Sequence, residues 1–142
     1  YYLAHGFAQL DKNGNKTKEW QVGFYSPSKD NIATFTTNPV KFQGFEKAFK
    51  DEKTSIIKLT DIERFIETDR ALENVKEHVQ ENHPKEKIQT IILVVQVIEN
   101  TQTYNITAVT ESFSMIICKM NALTGKMIST DKRSVLDLKQ EQ

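Results

Sequence analysis

The chain has 142 residues, of which 38% are hydrophobic and 27% are charged, as in an ordinary globular protein with room for one core. Its 19 Lys and Arg residues equal its 19 Asp and Glu residues, so the formal net charge is zero. This balance disfavours a dedicated nucleic-acid binder and a protein held electrostatically on a membrane surface, because both rely on a basic excess.

The single cysteine, Cys118, excludes a disulfide within the chain. It lies in the apolar stretch 114–120, so we interpret it as a small buried hydrophobic residue and not as a reactive thiol. No stretch reaches the roughly 18 consecutive apolar residues of a membrane span. Because the sequence begins at Tyr1 and not at Met, we expect an excised piece from which a signal or anchor segment could have been removed.

The first part of the chain predicts an antiparallel meander of three strands. Residues 2–10 are apolar and aromatic, and the Asn13-Gly14 pair that follows is a strong hairpin signal, because both residues tolerate positive φ. Apolar and polar residues alternate over 18–25, which predicts the second strand. The Thr-rich stretch 31–37 predicts the third strand.

The next stretch, Val40–Asp51, is predicted to be a short helix. Its apolar residues fall at positions i, i+3, i+6 and i+7, which is helical spacing. They are Phe42, Phe45, Ala48 and Phe49. The following stretch, Thr54–Glu67, fits an extended connection as well as a helix. Thr60 and Glu63 have the spacing of a capping box, which keeps a long helix from Asp61 as the alternative.

The clearest helix is predicted over Asp69–His83. Leu72, Val75 and Val79 form an apolar stripe along it, while the opposite face is charged and polar. Pro84 then stops the helix. We therefore expect the stripe to pack on a sheet.

The longest apolar run, Ile88–Ile98, is rich in β-branched residues and is apolar at both alternating sets of positions. It predicts a central strand that is covered on both faces. The stripe of the 69–83 helix would cover one face. The first-part sheet, the 42–49 segment or a partner chain could cover the other face.

Both halves of the chain show the same order of elements. Stretches 2–10, 19–25 and 31–37 would correspond to stretches 88–98, 103–109 and 113–121. This order predicts two three-stranded units, each with a helix on one face, although a plain antiparallel sheet would produce the same order. A short strand is predicted over 126–129, and the charged end 131–142 is predicted to fray.

Residues Ile56–Ser129 resemble the PepSY-like family of small extracytoplasmic modules. The matching segments are Ile57-Lys58-Leu59, Asp69-Arg70-Ala71-Leu72, Tyr104-Asn105-Ile106-Thr107 and Met120-Asn121-Ala122-Leu123-Thr124-Gly125-Lys126-Met127-Ile128. The resemblance implies a helix packed on an antiparallel sheet, with tandem copies in some members. It also implies a secreted or membrane-anchored module that binds or regulates other proteins, sometimes peptidases, without catalytic residues of its own.

Sequence motifs for catalysis or metal binding are not found. No GxGxxG, GxxxxGK[ST], GxSxG or HExxH pattern is present. His78 and His83 are five residues apart, so they are interpreted as surface residues, and a metal site with Glu77 or Glu81 is disfavoured. A Cys–His nucleophile pair would need an exposed Cys118, which its apolar neighbours oppose. We therefore predict no catalytic, cofactor-binding or metal-binding residues.

Aromatic residues are concentrated in the first half of the chain. Core packing is one explanation. The alternative is an exposed aromatic groove between the sheet and the 42–49 segment, which would suit a peptide or an apolar ligand. The residues assigned to this candidate ligand or partner groove are Trp20, Phe24, Phe42, Phe45 and Phe49.

Together these patterns predict an α+β fold, with antiparallel sheet and a helix packed on one face, and two repeated half-units as the arrangement to be tested. The predicted domains are an N-terminal three-stranded antiparallel unit with a short helix over 1–53 and a PepSY-like unit of helix plus sheet over 54–130. A flexible tail is predicted over 131–142.

The predicted function is a non-enzymatic binding or regulatory module, extracytoplasmic or membrane-anchored, that takes a protein or peptide in a groove or at a sheet edge. No cofactor and no nucleic acid are expected, a homodimer is left open, and membrane contact is expected only through a segment outside this sequence. The alternative is a small enzyme or small-ligand carrier with a pocket between helix and sheet, which a deep pocket with convergent polar groups or a strongly perturbed carboxylate would favour. A third interpretation is an assembly domain with a large apolar interface between chains.

Overall fold

The computed structural model describes residues 1–48 and 56–135 of the chain. This part is dominated by β-structure, with one α-helix and one short 3-10 helix. No helix in these two ranges is both long enough and apolar enough to cross a membrane. The elements are β1 (Tyr2–Asp11), β2 (Gln21–Ser26), β3 (Asn31–Thr37), β4 (Val40–Lys47), the 3-10 helix Ile62–Arg64, α1 (Thr68–Asn82), β5 (Ile88–Ile98), β6 (Thr101–Thr110), β7 (Ser114–Asn121) and β8 (Met127–Ser134).

The eight strands form one antiparallel sheet in the order β4-β3-β2-β1-β5-β6-β7-β8. Strands β1–β4 form one meander and strands β5–β8 form a second. The two meanders meet where β1 pairs with β5, in a continuous register from His5 opposite Gln96 to Asp11 opposite Thr90. The first strand of each meander therefore lies in the middle of the sheet.

The main core lies between α1 and one face of the sheet, which we call the helix face. The buried stripe of α1 packs on alternate residues of β1, β5, β6 and β7. The sheet contributes Ala8, Leu10, Ile91, Leu93, Tyr104, Ile106, Ala108, Ile116, Cys118 and Met120 to this core. The helix predicted over Asp69–His83 is thus confirmed to within one residue at each end, and its stripe packs on a sheet as predicted.

The predicted strand Ile88–Ile98 is confirmed as β5 with the same bounds, and it lies beside β1 in the middle of the sheet. Ile91 and Leu93 are completely buried on the helix face. Ile92 and Val94 point to the opposite face, which we call the far face, and remain partly exposed. The prediction that both faces of this strand are covered is therefore wrong for the far face.

The predicted fold class, an α+β fold with two repeated half-units that each carry a helix, is wrong. The described residues form one continuous eight-stranded antiparallel sheet with a single short α-helix on the second meander. The predicted N-terminal unit of three strands and a helix has four strands instead. The physical reason is the pairing of β1 with β5. Periodicity along the sequence reports which face a residue occupies, and it does not report which strand lies alongside.

The short helix predicted over Val40–Asp51 is also wrong, because this stretch begins with strand β4, while residues 49–51 lie outside the described residues. β4 pairs with β3 through a bulge in which Gln43 is the extra residue. The extra residue places Phe42 and Phe45 on the same face although they are three positions apart. A bulged strand therefore imitates the spacing of a helix.

Two other boundaries differ from the predictions. β8 runs to Ser134, so residues 131–134 belong to the sheet and not to a tail that begins at 131, while residues 136–142 lie outside the described residues. The described connection before α1 contains only the short 3-10 helix, so the alternative of a long helix from Asp61 is wrong.

Replacing Leu93 by Ala tests the position of the core. Because the Leu93 side chain is completely buried beneath α1, we expect the Leu93→Ala variant to lose about 2–5 kcal/mol of unfolding free energy in urea denaturation. Leu123→Ala is the matched control, since Leu123 is 41% exposed, and it is expected to change stability by about 0.5 kcal/mol or less. Equal losses in both variants would contradict this core.

Candidate functional site

The helix face continues beyond α1 onto the outer strands β2, β3 and β4. Gly6 opposes Val95 on one side and Val22 on the other, and Phe35 opposes both Val22 and Phe42. Opposed residues of an antiparallel pair point to the same face, so the core of the second meander and these phenylalanines share one face. An open groove of about 570 Å³ lies on this outer part. The groove, which we call the aromatic groove, is lined by Tyr1, Phe24, Ala33, Phe35, Phe42 and Phe45.

Four phenylalanine rings form a continuous row in the aromatic groove. The ring centroids are 5.8 Å apart between Phe24 and Phe35 and 5.4 Å apart between Phe35 and Phe42. The last pair, Phe42 and Phe45, is 5.0 Å apart, and the rings meet in tilted or edge-on orientations that aromatic pairs prefer. Phe42 is 48% exposed and Phe45 is 62% exposed. The groove is therefore a wide, preorganised apolar surface and not a closed cavity.

One end of the aromatic groove is basic. The Nζ atom of Lys29 lies 5.8 Å from the centroid of the Tyr1 ring, and the Tyr1 hydroxyl donates a hydrogen bond to Asn31 Oδ1 at 3.0 Å. Asn31 opposes Lys47 across β3 and β4, at a position on the helix face. Lys29 and Lys47 are thus both near this end of the groove, where positive charge favours an anionic group on an occupant.

The structure brings together three of the residues assigned to the groove from the sequence, namely Phe24, Phe42 and Phe45. Trp20 lies elsewhere: its ring packs beside Gly6, at the margin of the main core. Phe49 lies outside the described residues. The assignment of these residues to a ligand or partner stays a prediction.

Tyr1, Ala33 and Phe35 also line the groove and were not assigned to it from the sequence. The alternation of Phe35 with threonines places it on one face of β3. Only the register of β3 with its two neighbours places that face beside Phe24 and Phe42. Tyr1 precedes the first strand and carries no periodic signal.

A second, polar depression of about 360 Å³ lies on the far face. The His5 imidazole packs against Gly23 there, so closely that a Cβ on that glycine would lie 2.1 Å from His5 Cε1. Burial lowers the pKa of His5, and the charge of Glu46 opposes this shift in part, so His5 is neutral at pH 7. The lining residues are His5, Phe7, Gln21, Thr34, Glu46, Val94 and Gln96.

The described side chains of the far-face depression can form hydrogen bonds, but they are not arranged for metal binding or nucleophilic catalysis. Thr34 Oγ1 is buried without a hydrogen-bond partner in the described part of the chain. No cluster of three or more His, Cys, Asp or Glu side chains suited to a metal ion occurs within residues 1–48 and 56–135. His78 and His83 lie on and just after α1 with ring centroids 5.8 Å apart, away from this depression. A neutral imidazole beside one exposed carboxylate has no adjacent nucleophile to activate.

The thiol of Cys118 is completely buried in the main core, which confirms its interpretation as a small hydrophobic residue. Burial raises its pKa to about 11, so the thiol is protonated at neutral pH. The thiolate is the reactive form of cysteine, and both its scarcity and its burial oppose a nucleophilic role.

The reactivity of Cys118 should therefore depend on unfolding. At pH 7.5 we expect Ellman's reagent to label the native chain far more slowly than the chain in denaturing urea, because the native thiol reacts only when the core opens transiently. The Lys12→Cys variant provides the control, since this turn position is exposed and should react at once. Native labelling of Cys118 as fast as that of the added cysteine would contradict its burial.

Glu86, in the connection between α1 and β5, has a strongly shifted pKa. The Ser112 hydroxyl donates a hydrogen bond to Glu86 Oε2 at 2.5 Å, and Lys132 Nζ lies 3.1 Å from Oε1. These contacts, first the hydrogen bond from Ser112, lower the pKa of Glu86 from 4.5 to about 2. The carboxylate therefore stays ionised at neutral pH, where it joins the connection, the β6–β7 turn and β8. It is not poised to exchange a proton as a general acid or base.

The lowered pKa of Glu86 predicts a loss of stability in acid. Above pH 4.5 the carboxylate is ionised in the folded and unfolded chains, and its contribution is complete. As the pH falls through 4.5 toward about 2 the unfolded chain binds the proton first, so the contribution is lost. The Ser112→Ala variant should move the pKa of Glu86 back toward 4.5 in an NMR titration and reduce the acid-dependent loss measured by urea unfolding. An unchanged pKa in this variant would exclude Ser112 as the main cause.

Comparison with known proteins supports the fold and leaves the family open. No protein-family model matches the chain, and no curated protein matches it significantly. Among solved structures, the chain is similar to the crystal structure of a "putative lipoprotein" from Clostridium difficile 630, with a TM-score of 0.53 and 12% identity. The similarity covers 92% of this chain and 83% of that chain. At this identity it shows a shared fold alone, and the PepSY-like resemblance stays a prediction.

Proposed function

We propose that the chain is a non-enzymatic binding module, extracytoplasmic or membrane-anchored, whose aromatic groove holds an extended apolar segment of another protein. The row of four contacting phenylalanine rings on an uncovered part of the helix face carries this proposal. A contiguous apolar patch of this kind is unfavourable in water and marks interaction surfaces on globular proteins.

The openness of the groove favours a polypeptide over a small molecule. Small-molecule sites usually enclose most of the ligand and orient it with a few convergent polar groups. Phe42 and Phe45 of the aromatic groove are instead about half exposed, and the Tyr1 hydroxyl already donates a hydrogen bond to Asn31. An extended segment presents an apolar side chain at every second residue, so it can contact several rings at once.

The basic end of the groove adds a preference for direction. Lys29 and Lys47 lie near the same end, beyond Tyr1. A segment with an acidic residue at one terminus would therefore bind better in the orientation that places this residue near the two ammonium groups.

Four observations support the proposed location and the proposed role without catalysis. The proposed location is supported by the PepSY-like resemblance of residues 56–129 and by the fold shared with a protein described as a "putative lipoprotein". A role without catalysis is supported by the burial of Cys118 and by the structural contacts of Glu86.

The alternative, a small enzyme or small-ligand carrier, has one observation in its favour. The far-face depression around His5 and Glu46 gathers several polar side chains. The space between α1 and the sheet, where the alternative predicted a pocket, is filled by side chains such as Val75 and Ile106, both of which are completely buried.

A peptide titration tests the proposed function. The probe is a soluble ten-residue peptide in which Phe and Val alternate with Thr, with Glu at one end, and the matched peptide carries Ser in place of Phe. We expect NMR shift changes at the groove residues with the first peptide alone. Phe42→Ser and Phe45→Ser should each weaken binding by about tenfold, because each removes one ring of the row.

Phe113→Ser is the control for these variants. Phe113 is 63% exposed but lies in the β6–β7 turn, outside the groove, so its replacement should leave the affinity unchanged. An equal loss of peptide affinity in this variant would indicate nonspecific hydrophobic binding and contradict the proposal. Binding of laurate in the aromatic groove without binding of the peptide would replace the proposal with the small-ligand carrier.

A further inference from the structure

The two edges of the sheet differ in chemistry. β8 carries Asp131, Lys132 and Arg133, and charged residues of this kind protect an edge strand against pairing with another sheet. β4 also carries charged residues, namely Lys41, Glu46 and Lys47, but it exposes three large apolar residues where β8 exposes Ile128. The exposed fractions are 78% for Val40, 48% for Phe42 and 62% for Phe45. An apolar edge strand with unpaired backbone groups is a template for a further strand.

The bulge in β4 determines which residues of this edge share a face. Val40 and Phe42 before the bulge and Phe45 and Lys47 after it lie opposite helix-face residues of β3. Residues 41 and 46 lie opposite far-face residues. A regular strand can pair with β4 only by setting one residue against two at the bulge, as β3 does. A strand with its own bulge at the matching point pairs residue for residue.

We propose that β4 pairs with β4 of a second copy of this chain, antiparallel, about a two-fold axis between positions 43 and 44. In this register Lys41 opposes Glu46 of the second copy, and Phe42 opposes Phe45 of the second copy. The two-fold axis repeats both pairs. In both pairs the two opposed residues lie on the same face of the sheet. Without the bulge, residues three or five positions apart in β4 would point to opposite faces, and this register would not be possible.

In both kinds of pair, the two opposed side chains attract each other. The Lys41–Glu46 pairs join opposite charges on the far face, and no described residue forms a salt bridge with either side chain within one copy. The Phe42–Phe45 pairs join aromatic rings on the helix face. Shifting the register by two sequence positions sets Lys41 against Gly44, or Phe42 against Lys47, and loses both sets. The strand is thus complementary to itself in one register.

This pairing changes the aromatic groove as well as the edge. The sheet would run without interruption through both copies, and the grooves would meet at the two-fold axis. Phe42 and Phe45 of each copy would then form one aromatic strip, so the second copy contributes side chains to the site. The inference concerns the edge of β4 and does not depend on what the groove binds.

Sedimentation equilibrium from low to several hundred micromolar protein tests the pairing. We expect a dimer for the unmodified chain. In Lys41→Glu, two carboxylates face each other at two symmetric positions, which should raise the dissociation constant by about tenfold or more. The double variant Lys41→Glu/Glu46→Lys restores opposite charges in both pairs and should restore the dimer. Lys18→Glu makes the same charge change at an exposed loop position and should have no effect.

Three results would overturn the proposal: a monomer for the unmodified chain at the highest concentration, an unchanged dissociation constant in Lys41→Glu, or a double variant that is folded by circular dichroism but does not dimerise. Glu46→Lys gives the same test with the opposite charge should Lys41→Glu fail to fold. Titrating monomeric Lys41→Glu with the ten-residue peptide separates the two proposals, since peptide binding without dimerisation leaves the proposed function intact.

Discussion

The antiparallel pairing of β1 with β5 is the constraint on which the rest of the structure depends. It joins two meanders that are each continuous in sequence, and it places the most apolar strand in the middle of one sheet. Ala8 and Leu10 of β1 lie opposite Leu93 and Ile91 of β5, so both meanders contribute to the floor on which α1 packs. Without this pairing, the first meander would have no share in the main core.

The same pairing explains why an apolar surface remains uncovered. A helix is about 10 Å wide, whereas eight strands spaced about 4.8 Å apart span roughly 34 Å, so α1 covers only part of one face. It lies over the second meander and β1, and the Trp20 ring closes the margin of the core beside Gly6. Strands β2, β3 and β4 extend beyond this margin, and their helix-face positions form the aromatic groove.

One extra residue in β4 has effects at two levels. Locally, the bulge at Gln43 turns Phe45 to the same face as Phe42, which completes the row of four rings. At the edge of the sheet, it gives β4 a symmetric order of faces: positions 40, 42, 45 and 47 share the helix face, and positions 41 and 46 share the far face. It also explains why the sequence of this stretch resembles a helix, because a period of two interrupted by one residue gives a spacing of three.

Local periodicity by itself determined the strands β1, β2, β3, β5, β6 and β7, the helix α1 and the buried state of Cys118. The concentration of aromatic residues in the first half of the chain also selected Phe24, Phe42 and Phe45 as candidate groove residues. Only the tertiary structure decided that β1 lies beside β5, that one helix covers one meander, and that Phe35 joins the groove while Trp20 does not. The reason is physical: the alternation of side chains is set within a few residues, whereas strand neighbours are set by contacts between positions far apart in the chain, such as Ala8 and Leu93.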